Sequence, residues 1–117
     1  MGMSTAEKNA QLNAEFQGTS HANVYLALFF SGSELATSGY ARKAVVCNST
    51  NFPNAAGGVI SNGVRQDFAT LAASANVDEV RIYDAASGGN ELFRQAITSI
   101  AGTDFYILAG SLTITLT

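Results

Sequence analysis

The sequence predicts a mainly β chain: an antiparallel β-sandwich of jelly-roll type, with about eight strands behind one short N-terminal helix. Three observations carry that expectation. Short apolar or alternating runs recur along the 117 residues, each bounded by Gly, Ser, Asn or Asp. A helical pattern occurs only in the opening segment. Charged residues make up just 13% of the chain, about half the usual share of a soluble domain, so small polar residues must form most of the surface. On this reading residues 1–20 form an N-terminal helical segment and residues 21–117 form the sandwich domain.

Each element follows from its local pattern. Ser4 followed by Glu7 is a capping box, and the helix it opens runs to about Phe16 before Gly18 stops it. Leu12 and Phe16, four apart, share one helix face and can anchor the helix to an apolar surface. Val24 to Phe30 is apolar on both parities, as a central strand covered on both sides must be. Ser31-Gly32-Ser33 turns the chain, and Tyr40 to Cys47 reads as a second strand. Asn48 to Gly58 is a loop holding the lone proline, Pro53. Asn62-Gly63 is the strongest two-residue hairpin signal in the chain, so Val59-Ile60 and Val64 to Leu71 are expected to pair across it. Val80 to Tyr83 and Glu91 to Ile97 flank a longer turn containing Asp84, Gly88, Gly89 and Asn90. Phe105 to Leu108 and Leu112 to Leu116 close the domain across Ala109-Gly110-Ser111, with Leu112, Ile114 and Leu116 facing inward.

Little in the chain points to chemistry. His21 and Cys47 are the sole imidazole and the sole thiol, two zinc donors where three or four are needed. No nucleophile elbow accompanies His21. Cys47 lies in an apolar run and reads as a small buried residue. Asp78 and Glu79 alternate faces on a strand and cannot converge as an acid–base pair. Asp84 reads as a turn carboxylate that accepts backbone N–H groups. The expectation is no catalytic residue, no metal and no cofactor. Basic residues are scattered, with Arg42-Lys43 the one adjacent pair, so nucleic acid is not expected as a partner. The run from Val24 to Phe30 is about a third of a membrane span, and no secretory pattern opens the chain, so a membrane partner is not expected either.

Four segments taken in order carry a resemblance. Asn23 to Phe30 (NVYLALFF), Gly39 to Val45 (GYARKAV), Ile82 to Asn90 (IYDAASGGN) and Ala109 to Leu116 (AGSLTITL) resemble a family of small tailed-bacteriophage virion proteins, of tail-fibre and head-decoration type. The resemblance implies a structural role in the virion: a compact β-domain that assembles as a homo-oligomer, a trimer on three-fold symmetry grounds, beside other virion proteins such as the major capsid protein. It implies two functions, capsid decoration or a fibre module that binds a host surface glycan. Leu12, Phe16, Tyr40 and Arg42 are the candidate interface residues, Arg42 being either a buried hydrogen-bonding group or an interface contact. Asp84, Gly88, Gly89, Asn62 and Gly63 are the candidate turn signatures.

Overall fold

The computed structural model describes residues 3–115. The helix α1 spans Thr5–Phe16, and Ser4 caps it: its Oγ accepts the Glu7 N–H at 3.2 Å. Two faces of α1 point inward. Leu12 and Phe16 are buried, Phe16 with its ring 5.0 Å from that of Phe52 and 5.6 Å from that of Phe93. Beside them, Asn9, Asn13 and Gln17 form a stripe at four-residue spacing. Their amides take the N–H of Gly58, the N–H of Ala55 and the carbonyl of Phe52, which pins the loop over residues 52–58 to the helix. The helix therefore shares the core of the residues that follow it.

The sheet is built around β1 (Asn23–Phe30), which has neighbours on both edges and buries side chains of both parities, as its apolar run requires. One edge pairs antiparallel with β6 (Ala75–Tyr83), which pairs in turn with β7 (Glu91–Gly102). The opposite edge is divided end to end between β3 (Lys43–Val46) and β2 (Ser33–Glu34). The β1–β2 connection is a two-residue turn with Ser31 at φ 52° and Gly32 at φ 83°, the paired positive values of a type I′ hairpin. Two short antiparallel ribbons accompany this five-stranded sheet: β4 (Val59–Ser61) with β9 (Thr113–Thr115), and β5 (Gln66–Asp67) with β8 (Tyr106–Ile107). One core joins them all, from Val24, Leu26 and Ile82 of the sheet through Phe16 of the helix to Ile60 and Ile114 of the ribbons.

The fold is mainly antiparallel β, as expected, with three differences in detail. Asn62-Gly63 is not a hairpin turn, because β4 and β5 pair with β9 and β8 and not with each other. The Asn62 side chain is buried and engages distant backbone, while Gly63 has no room for a Cβ, which would sit 2.5 Å from the Thr50 carbonyl and 2.8 Å from Pro53. Tertiary packing outweighs turn chemistry there. The expected strands over Tyr40–Cys47 and Val64–Leu71 shrink to Lys43–Val46 and Gln66–Asp67. In the first case Tyr40 and Arg42 give up ladder positions to hydrogen-bond through their side chains. The last two strands do not pair across Ala109–Ser111; each closes a separate ribbon. Leu112 and Ile114 are buried as expected, and Leu116 lies outside the described residues.

Candidate functional site

The most developed polar arrangement lies where the shared edge of β1 meets the β6–β7 loop. Between β2 and β3, the Leu28 N–H of β1 has no strand opposite it, and it donates to the Tyr40 hydroxyl at 3.0 Å. That hydroxyl donates to Glu34 Oε2 at 2.6 Å. Arg42 grips both oxygens of the same carboxylate, at 2.8 and 3.0 Å. Its remaining terminal nitrogen, Nη1, donates to the carbonyls of Ala85 and Gly88 at 2.9 and 2.8 Å. The guanidinium lies 3.9 Å from the centre of the Tyr83 ring. Only 7% of the Arg42 side chain is exposed, and its guanidinium is held by groups of its own chain.

Electrostatics follow from that packing. Hydrogen bonding from Arg42 holds the Glu34 carboxyl below its ordinary range, against a smaller upward push from burial. Burial, reinforced by the Glu34 bond, keeps the Tyr40 phenol protonated well above its usual value. The loop beyond is closed by Asp84, whose Oδ1 accepts the Asn90 N–H at 2.8 Å while Oδ2 takes the Asn90 side-chain amide at 3.1 Å. These bonds lower the Asp84 pKa, and they fulfil the turn role read from the sequence. Gly88 and Gly89 sit at φ 61° and 74°, as that turn demands.

The outer face of the sheet continues the pattern. Phe29 stacks near Tyr83, with ring centres 6.1 Å apart, and Arg81 lies 3.9 Å above the Phe29 ring. Arg81 and Arg94 pair with Glu79 and Glu91, so four charges from β6 and β7 cancel across neighbouring strands. His21 bonds Glu15 at 2.8 Å, tying the start of β1 to the helix. Cys47 is buried, and desolvation, with a smaller effect from the Glu15 charge, pushes its thiol up to about 11.

Away from this cluster, Asn62 joins the two ribbons. Its Oδ1 accepts the Leu112 N–H at 2.9 Å, and its amide nitrogen donates to Val64 and Leu108 carbonyls. Beneath β6 and β7 an apolar groove of about 210 Å³ opens to solvent, lined by Val80, Ile97, Tyr106, Leu108 and Leu112. Gln95 holds its far wall, donating to the Ser111 carbonyl and accepting the Thr113 N–H.

The structure thus brings together Tyr40, Arg42, Gly88 and the loop closed by Asp84, with Asn62 and Gly63 elsewhere. It places Leu12 and Phe16 inside the chain's own core, where they present no surface to a partner. Glu34, the hub of the cluster, was missed in the sequence. A lone glutamate after a Ser-Gly turn carries no signal until Tyr40 and Arg42 are folded onto it. Gln95 and the groove were missed for the same reason, since a surface assembled from three strands has no local pattern.

Among the described residues no group of three or more His, Cys, Asp or Glu side chains could hold a metal ion, and no helix is long and apolar enough to cross a membrane. No curated protein matches the chain. The family model described as "Podophage GP4 fiber I protein gp80" matches residues 2–115. That match takes in the helix, the sheet, both ribbons and the Arg42 cluster. The chain therefore belongs to this podophage fibre family, a family of small tailed-phage virion proteins.

Proposed function

We propose that the chain is a structural subunit of a tailed-phage virion, which works by assembling with copies of itself and with other virion proteins and performs no catalysis. The observation that carries this reading is the family match over residues 2–115. The chemistry of the cluster supports it. Arg42, Glu34 and Tyr40 spend their hydrogen-bonding capacity on one another and on loop carbonyls, which is the work of a fastener.

Two placements follow. In the fibre reading, favoured by the fibre description of the family, the loop over residues 85–90 is held rigid by Arg42 and Asp84 and faces a host surface glycan. In the decoration reading, the domain clamps the major capsid protein. The helix would then dock through its remaining polar face, around Gln11, because Leu12 and Phe16 are already buried. Quantitative mass spectrometry of purified particles, combined with electron microscopy that locates the density, separates them. A few copies at the tail support the fibre reading; hundreds over the capsid lattice support decoration. Absence from purified particles overturns both.

A further inference from the structure

We propose that Asn62-Gly63 is a covalent modification site that the native fold keeps shut and unfolding opens, and that its deamidation leaves a mark which weakens the fold for good. The inference is independent of where the subunit sits in the virion.

The reaction is set by the sequence. Asn62-Gly63 is the one Asn-Gly step in the chain. In a flexible chain the Gly63 backbone nitrogen, once it gives its proton to hydroxide, attacks the Asn62 side-chain carbon Cγ. A bond from that nitrogen to Cγ forms, the bond from Cγ to Nδ2 breaks, and Nδ2 leaves as ammonia with a proton from water. Water then opens the five-membered succinimide at either carbonyl, giving an aspartyl or an isoaspartyl residue; nothing is oxidised or reduced. Glycine in the second position speeds the attack, because no Cβ hinders the nitrogen and the backbone turns freely into the reacting geometry.

The fold withholds each requirement. The Gly63 N–H donates to the Asn51 carbonyl at 2.7 Å, and an amide bonded within the fold gives up its proton only when the structure opens. Asn62 is 2% exposed, and its side chain is held from both ends. Nδ2 donates to the Val64 and Leu108 carbonyls at 3.1 and 3.0 Å, while Oδ1 accepts the Leu112 N–H at 2.9 Å. Its backbone is fastened as well, its N–H to the Leu112 carbonyl and its carbonyl to the Gly110 N–H.

These same bonds make the damage lasting. An aspartyl carboxylate sets a negative charge against two carbonyl oxygens that previously received a donor, at a site closed to water. An isoaspartyl residue adds a carbon to the backbone beside Gly63, where the Thr50 carbonyl and Pro53 already leave no room for a Cβ.

The test holds the full chain at mildly alkaline pH, folded in buffer or unfolded in guanidinium, and follows position 62 by peptide mass spectrometry. Asn62 should be lost at least about a hundredfold more slowly from the folded chain. After dilution from guanidinium, a denaturant titration should show a less stable population equal to the fraction deamidated. A sample unfolded for the same time at mildly acidic pH, where Gly63 keeps its proton, should show none. Asn62→Asp, expressed directly, decides the second half even if the natural chain refolds poorly: its folded-to-unfolded ratio should fall at least about a hundredfold. Equal rates of Asn62 loss from folded and unfolded chains overturn the shut site. A deamidated population or an Asn62→Asp variant as stable as the natural chain, or a weakened population with Asn62 intact, overturns the lasting mark.

Discussion

At the scale of single residues, Arg42 accounts for most of what is specific about this chain. It spans from the short strand at Glu34 to the loop carbonyls of Ala85 and Gly88 with little solvent around it. Arg42→Ala leaves the Glu34 carboxylate with the Tyr40 hydroxyl as its remaining donor and takes the guanidinium from two loop carbonyls. It should cost about 3 kcal/mol of unfolding free energy in denaturant titration. Arg42→Lys should recover only a fraction, since an ammonium cannot grip both carboxylate oxygens in the same plane. Glu34 adds a pH signature. Its folded pKa lies below the ordinary 4.5, so its contribution is full above the unfolded value and disappears as pH falls through the lower folded value. The stability gap between the natural chain and Glu34→Gln should therefore be widest near neutrality and narrow steadily below about pH 4.5, as followed by urea unfolding across pH. Asp84 was legible in the sequence because its partner, Asn90, belongs to the same turn. Arg42 was legible only as a choice between two roles, since its partners come from β2 and from a loop more than forty positions away.

At the scale of elements, the turns show where local signals hold and where they fail. Ser31-Gly32 forms the type I′ turn that the stronger signal, Asn62-Gly63, does not. Ser31 holds a left-handed φ that Asn tolerates better. Ser31→Asn should thus stabilise the chain by roughly 0.5 kcal/mol in thermal or chemical unfolding. Asn62 has become the joint between the two ribbons. Asn62→Ala strands the buried Leu112 N–H and frees the Leu108 carbonyl, and should cost about 2–3 kcal/mol by the same measurement. The helix, β1 and the hairpin between β6 and β7 could be read from capping, turn residues and periodicity, but the far ends of that hairpin, from Ala75 and out to Gly102, were not. β5 and β8 were read as parts of longer runs, while β2 was not read at all, because so short a segment becomes a strand only through the partner that pairs with it.

At the scale of the whole molecule, connectivity governs how the fold is reached. β1 waits for β6, β4 for β9 and β5 for β8, so three of the strand pairings join segments far apart in the chain. Closing such loops costs entropy before any contact repays it, and refolding in stopped-flow fluorescence should take milliseconds to seconds, not microseconds. The low charge and the alternation of short strands with turns made the β class legible. The pairing of the remaining strands into two ribbons was not, since it depends on which distant strand each segment meets. One last property belongs to the molecule as a whole. Its single cysteine lies at 5% exposure, with a thiol that ionises only near pH 11. At neutral pH it should be inert to maleimide reagents. A cysteine placed at any exposed position would then be the one site of this chain that a fluorophore or gold cluster attaches to, and the purified subunit could be tagged before assembly without first stripping out its native sulfur.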